Sequence, residues 1–267
     1  MALTVEVTSD KKGSNPGGEC TVRNGVMPFE GYFKYCTGSK LPRYSPFNVG
    51  HQPVYEAFTF GLARRLGLKT TDHYLLLNKE GDVEFEDLER HSRRDHSGKG
   101  FYFLSRLVPN PIHRTNHGAE RLESQRPYLE SILVSDIIGR KQNYTYGDEG
   151  LAEGDVMYID LGCSFVHAHD GFLGSPHKLK YKKPKNVKLA LKRLKGKFLI
   201  SADEIDIIDL EEFVRLPYDM TIPTMNPPGK VNVGNIFSKL EADEIHAHLV
   251  SGVSKALSLF KERDLLL

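Results

Sequence analysis

The segment Asp155-Val156-Met157-Tyr158-Ile159-Asp160-Leu161-Gly162-Cys163-Ser164-Phe165 constrains the fold most. Its β-branched and aromatic run reads as a short buried strand. The strand ends on a carboxylate, Asp160, and Gly162 lets the chain turn sharply behind it. A rigid strand end suits an acid that must sit still, such as a metal ligand. An ordinary turn residue is equally consistent with this stretch alone. A second polar cluster, Asp136-Ile137-Ile138-Gly139-Arg140-Lys141-Gln142-Asn143, lies upstream at the end of an apolar helix. Asn143 precedes Asp160 by seventeen residues, enough for a loop and a hairpin to fold both onto one site. An amide oxygen and a carboxylate are hard ligands of the kind a phosphate-bound magnesium ion takes.

The chain has 267 residues, room for one large domain or two lobes with cores of their own. Apolar residues make up 39% and charged residues 27%, so a folded soluble protein is expected rather than a disordered one. A net charge of +1 names no partner. Its distribution says more: half of the residues from Lys178 to Lys197 are Lys or Arg, and none is acidic. Cys20, Cys36 and Cys163 are odd in number and form no CxxC pair, which fits a reducing compartment rather than a disulfide framework or zinc finger. Met1 to Asp10 lacks the apolar core of a signal peptide. No apolar run approaches the ~20 residues of a membrane span. A cytoplasmic protein is expected, or a secreted effector without an N-terminal signal.

In chain order, Leu3 to Thr8 alternates as a strand, and Cys20 to Arg23 resumes strand character. Between them Ser9 to Glu19 is polar and carries Gly13, Gly17 and Gly18. The pair predicts a hairpin whose tip could fold over a phosphate, or a plain surface turn. Gly31 to Cys36 is a third strand, with Lys34 between aromatic residues. Lys34 points either at solvent or, if its face lines a cleft, at bound anions. Pro53 to Gly67 reads as a helix, with Pro53 in the first turn and Gly67 as the stop. Val54, Phe58, Leu62 and Leu66 form its buried stripe. Glu56 lies on the flank, placed for solvent or for a cation on a neighbouring strand.

His73 to Asn78 and Gly100 to Val108 are further strands, separated by a turn at Lys79 to Asp82 and a charged excursion from Glu84 to Lys99. Pro109-Asn110-Pro111 is an extended connector. Gln125 to Ile138 is a second helix, with Leu129, Ile132, Leu133 and Ile137 on one face. A loop is expected over Tyr144 to Gly154. Ser201 to Glu204 and Ser238 to Glu241 both match a capping box. Ile245, Leu249, Val253 and Leu257 stripe the final helix, and Leu216 to Gly234 reads as a Pro- and Gly-rich loop.

This succession resembles the protein-kinase-like superfamily, nearest to HipA-like kinases and the related phosphatidylinositol-kinase-like branch. Tyr32 to Tyr35, Glu56 to Leu68, Leu133 to Asn143 and Tyr158 to Phe165 carry the resemblance. It implies an α+β, bilobal fold, with a strand-rich N-lobe over 1–108, a helical C-lobe over 109–267 and a hinge near Ser105 to Pro111. It implies Mg²⁺ and ATP as cofactors. Lys34 would contact the nucleotide phosphates and Glu56 would orient it. Gly13, Gly17 and Gly18 would cover the phosphates, and Ser105 would border the nucleotide. Asp160 would hold Mg²⁺, with Asn143 as second ligand. In these families the catalytic loop has an Asp about five residues before the Asn. Gln142 is aligned with that base although it stands one residue before Asn143 rather than five, and glutamine cannot accept a proton. Asp136, seven residues before Asn143, is the nearby upstream carboxylate. Arg140, one helical turn on, can pair with it.

The implied activity is transfer of phosphate to Ser or Thr of a protein. A lipid or small-molecule acceptor and a binding module without transfer are the alternatives. Lys178 to Lys197 would be a docking face for substrate, anionic lipid or nucleic acid, or simply a solvated face. His167, His169 and Asp170 could bind a metal, with His113 or His117 completing the set, although their spacing matches no recognised zinc pattern. His246 and His248 diverge on a helix, which predicts a surface position.

Overall fold

Alternating apolar and polar residues build one eight-stranded sheet. In the computed structural model, the described residues are 3–9, 17–23, 25, 27–35, 46–78, 83–85, 100–108, 132–133, 144–146, 156–161, 165 and 210–264. The sheet holds β1 (Leu3–Val7), β2 (Gly17–Arg23), β3 (Phe29–Lys34), β5 (His73–Asn78), β6 (Val83–Phe85), β7 (Gly100–Arg106), β10 (Thr221–Asn226) and β11 (Pro228–Asn232). Their order is β11-β10-β5-β7-β3-β2-β1-β6. Pairing is antiparallel except at β10–β5 and β1–β6. A second sheet joins β4 (Lys69–Thr70), β9 (Val156–Tyr158) and β8 (Tyr144–Tyr146) in the order β4-β9-β8. With helices α1 (Gln52–Arg65), α2 (Leu210–Asp219) and α3 (Lys239–Asp264), the chain is α+β. The main sheet draws strands from both sides of the expected division at residue 108.

The pleat sends alternate side chains to opposite faces. Leu3, Val5, Cys20, Val22, Phe33, Leu76, Tyr102, Leu104 and Met225 make one small core. Leu75, Phe101 and Phe103 face the other way and join the large core around α1. Val54, Phe58, Leu62 and Leu66 are buried as the stripe predicts, but so are Tyr55, Ala57, Phe60 and Ala63. The helix is buried on nearly every face because the sheet covers one side and Phe237 packs on Tyr55 and Phe58, with Ile245 and Leu249 of α3 in the same core. Phe58 and Phe60 are fully buried, worth roughly 1.5–3 kcal/mol each, so tertiary packing outweighs helix propensity here. Gly67 ends the helix at φ +74°, the left-handed conformation a side chain resists. Gly61 admits the Met220 side chain, which a Cβ there would meet at 2.8 Å.

The structure corrects several expectations. Leu216 to Gly234 is not a loop: it holds the end of α2, the β10–β11 hairpin and a 3-10 turn at Val233–Asn235. Its prolines are spread over these elements. Pro217 is in the last turn of α2, Pro228 opens an outer strand, and pairing to β5 starts at Thr224, just past Pro223. Tyr144–Tyr146 is a strand on β9, where a loop was expected, and Val83–Phe85 runs parallel to β1 across the start of the expected excursion. His248 is 1% exposed rather than on the surface, because its ring turns inward onto Phe165 while His246 reaches the Val214 carbonyl at 2.6 Å. The Ser238 capping box forms as predicted: the Glu241 amide donates to Ser238 Oγ at 3.2 Å and the Ser238 amide donates to Glu241 Oε2 at 2.7 Å. Of the expected helix over Gln125 to Ile138, the described Ile132 and Leu133 are buried. Among the described residues no helix is long and apolar enough to cross a membrane.

Candidate functional site around Lys34

Lys34 ends β3, beside Phe33 of the small core, so its own side chain emerges on the opposite face, towards α1. It is 7% exposed, and a buried ammonium needs partners. It has two. Nζ donates to Glu56 Oε1 of α1 at 2.6 Å and to Asp160 Oδ1, two residues past β9, at 2.7 Å. The rings of Tyr32 and Phe103 lie 5.9 and 5.8 Å from the same nitrogen. Three chain segments separated by up to 126 residues therefore converge on one cation.

The two carboxylates differ in setting. The Glu56 side chain is 1% exposed and that of Asp160 is 43% exposed. Burial acts against the charge on Lys34, but attraction to Glu56 and then Asp160 outweighs it and raises its pKa above the ordinary value. Burial pushes the Glu56 carboxyl upward, and Lys34 pulls it back. The inner carboxylate is thus suited to hold the lysine, and the outer one is open to something arriving from solvent.

The position of α1 relative to β9 is tied at the helix C-terminus. Arg64 Nε donates to Thr70 Oγ1 at 2.7 Å, and its Nη2 donates to the Thr71 carbonyl at 2.9 Å. Lys69–Thr70 pairs in parallel with Met157–Tyr158, and the Thr71 amide donates to the Tyr158 carbonyl at 3.3 Å. The segment leaving α1 is therefore hydrogen-bonded to the strand that leads to Asp160.

Lys34, Glu56 and Asp160 are brought together as candidate site residues. Gly17 and Gly18 are placed differently from the expected tip: they lie inside β2, opposite Lys34 and Phe33. A Cβ on Gly17 would stand 2.1 Å from the Phe33 carbonyl oxygen, and one on Gly18 2.5 Å from that of Ser9. Close backbone approach requires glycine at both positions, whatever passes above the hairpin. Ser105 lies in β7 opposite Tyr32 and His73, buried, its hydroxyl 3.5 Å from the Tyr32 carbonyl. Gly13, Asp136, Gln142 and Asn143 fall outside the described residues, as do the segments His113 to His117, His167 to Asp170 and Lys178 to Lys197. Among the described residues no three His, Cys, Asp or Glu side chains form a metal-holding group.

A second buried carboxylate was read in the sequence only as a helix cap. Glu241 Oε1 accepts from Tyr55 Oη, from His51 Nδ1 at 2.7 Å and, more distantly, from the Asn48 amide at 3.4 Å. Burial works against its charge, but the hydrogen bonds from His51, Tyr55 and the Ser238 amide outweigh it and lower its pKa. Ser-x-x-Glu signals the cap alone, and no local pattern could announce partners 186 to 193 residues away. No protein-family model matches the chain, and no curated protein matches it significantly.

Proposed function

We propose that the protein is an ATP-dependent phosphotransferase of bilobal, protein-kinase-like architecture that uses Mg-ATP to phosphorylate Ser or Thr of a protein. The observation that carries the reading is the bridge from Lys34 to both Glu56 and Asp160. Protein kinases pair a lysine on the third strand with a helix glutamate and hold Mg²⁺ on an aspartate. Here the strand, helix and strand-end acid occur in that chain order and meet at hydrogen-bond distance. The donor chemistry fits: a carboxylate 43% exposed offers hard oxygen beside an ammonium that can pair with phosphate.

In this reading Glu56 fixes the Lys34 ammonium, and Lys34 holds the nucleotide phosphates. Asp160 would hold Mg²⁺ with Asn143. The ion, when bound, neutralises charge on the transferring phosphoryl group. The acceptor hydroxyl oxygen bonds to the γ-phosphorus as the bond to the β–γ bridging oxygen breaks, and ADP leaves. The hydroxyl proton needs an acceptor, for which Asp136 is the candidate because Gln142 cannot take a proton. Gly17 and Gly18 shape the strand beside Lys34, and Gly13, outside the described residues, would cover the phosphates. Ser105 borders the nucleotide. Lys178 to Lys197 would dock an acidic stretch of the substrate.

Gln142 at the aligned base position favours a second reading, a module that binds nucleotide without transferring phosphate. One experiment separates them. Thermal shift with Mg-ATP reads binding, and labelled ATP followed by mass spectrometry reads transfer to the protein itself or to added proteins. Stabilisation at ligand one hundred times its Kd is about 2.7 kcal/mol. Binding lost in Lys34→Met together with transfer supports the kinase reading. Binding without transfer supports the module, and no binding at millimolar Mg-ATP refutes both. Transfer to a lipid or a small molecule rather than a protein would change only the acceptor.

A further inference from the structure

We infer that Glu241 is a positioning residue for the Lys34–Glu56 pair: from the start of α3 its carboxylate fixes the first turn of α1, and with it the glutamate that holds the lysine. The inference deepens the phosphotransferase reading, on which its kinetic arm alone rests.

The argument begins with which groups Glu241 holds. Its Oε2 accepts from the Ser238 amide and so belongs to its own helix. Its Oε1 accepts from three groups in one stretch, Asn48, His51 and Tyr55. Tyr55 immediately precedes Glu56, and its hydroxyl also accepts from the Asn48 amide at 3.0 Å. One oxygen atom of α3 thus gathers the entry turn and first helical turn of α1.

The energetics make this a clamp rather than a contact. His51, Tyr55 and Glu241 are all buried, at 3%, 0% and 2% exposure. Movement of α1 away from α3 would leave a buried carboxylate and its donors unpaired, which charged hydrogen-bonded groups resist strongly. The rings around the carboxylate reinforce it, with Phe237 stacked on Tyr55 at 5.5 Å and Phe101 edge-on to His51 at 5.4 Å. The other end of α1 is tied to β9 through Arg64 and Thr71. Glu56 therefore has little freedom to leave Lys34 while Glu241 is ionised and in place.

Glu241→Gln tests this, because the amide keeps the volume but removes the charge and turns an N–H₂ group towards donors. The readout is acylation of lysines in the folded protein by an amine-reactive ester, quantified by mass spectrometry, with exposed Lys239 as internal reference. Lys34 is shielded by its pairing, so its labelling reports local opening of the pair. Labelling of Lys34 relative to Lys239 is expected to rise at least about ten-fold in Glu241→Gln. Val5→Ala, in the other core and remote from α1, supplies a variant of comparable global destabilisation. Its Lys34 labelling should rise less. Tyr55→Phe removes one donor and keeps the packing, and is expected to raise labelling about three-fold; it carries the test if Glu241→Gln does not fold. Equal labelling of Lys34 in Val5→Ala and in the folded network variant, or no rise in the latter, overturns the inference. Where transfer is measurable, kcat falls in parallel with the rise in labelling. Raised labelling with no transfer in any form of the protein leaves the positioning role standing and counts against the phosphotransferase reading alone.

Discussion

Replacing His248 with Leu should remove a defined part of the protein's acid sensitivity. The His248 ring is buried and sits edge-on to Phe165 at 6.3 Å, and neither ring nitrogen has a hydrogen-bond partner among the described residues. Burial lowers its pKa from 6.5 to about 3. The folded protein therefore keeps this ring neutral, while the unfolded chain takes up a proton as pH falls below about 6.5. The contribution to stability is present above pH 6.5 and is lost progressively as pH falls towards about 3. At pH 5 the unfolded ring lies about 1.5 pH units below its pKa and the folded ring is still neutral, so the loss relative to pH 7 is about 2 kcal/mol. His73, lowered by burial and then by Arg64 to about 3, adds a similar loss to the wild type. Comparing wild type with His248→Leu cancels His73 and every other shared group. Urea unfolding at pH 7 and pH 5 should show the variant losing about 2 kcal/mol less than the wild type between the two, equivalent to about 4–8 °C in Tm. Parallel pH dependences in the two proteins would refute the reasoning and mean that the ring is charged or hydrated in the folded state.

Three further outcomes are expected. Lys34→Met strands Glu56 inside the protein and should cost about 3–5 kcal/mol in chemical denaturation, largely recovered by adding Glu56→Leu; a cost below 1 kcal/mol would mean that the pair is not buried in solution. Gly17→Ala should lower stability by about 1–3 kcal/mol, since its Cβ would overlap the Phe33 carbonyl oxygen, and a melting temperature equal to wild type would contradict the strand register. On the proposed phosphotransferase reading, Asp160→Asn should abolish Mg²⁺-dependent stabilisation by ATP and any phosphoryl transfer, whereas Asp136→Asn should lower transfer less, since Arg140 follows Asp136 in sequence at the i+4 spacing of a helical ion pair. Abolition of transfer by Asp136→Asn with binding and folding intact would instead make Asp136 the proton acceptor.

Much of this site was legible because its signals are local. The aromatic neighbours of Lys34 mark β3, Pro53 and Gly67 bracket α1, and the apolar run before Asp160 marks β9. Whether Glu56 faced solvent or a strand cation was open in the sequence, since a helix flank gives no partner; the 2.6 Å contact to Lys34 decides it. The glycines misled because one residue type serves turns and tight strand crossings alike. Gly17 and Gly18 belong to the second kind, which depends on the cross-strand carbonyl and not on their neighbours in sequence. The prolines of 217–228 misled in the same way: Pro217 lies in α2, Pro223 in β10 and Pro228 at the start of the edge strand β11, placements that depend on the sheet and not on the local sequence. His248 and Glu241 depend wholly on tertiary contacts, and a helical wheel cannot distinguish a histidine facing water from one facing Phe165.

The parallel pairing of β10 with β5 has a consequence for synthesis of the chain. Residues 73–78 leave the ribosome long before residues 221–226 exist to cover them. During that interval β5 presents an open strand edge, with Leu75 and Leu76 among its side chains, of the kind that recruits other chains. The sheet that carries Lys34 therefore reaches its final width late in translation, and the cell must keep that edge unoccupied until its own partner strand emerges.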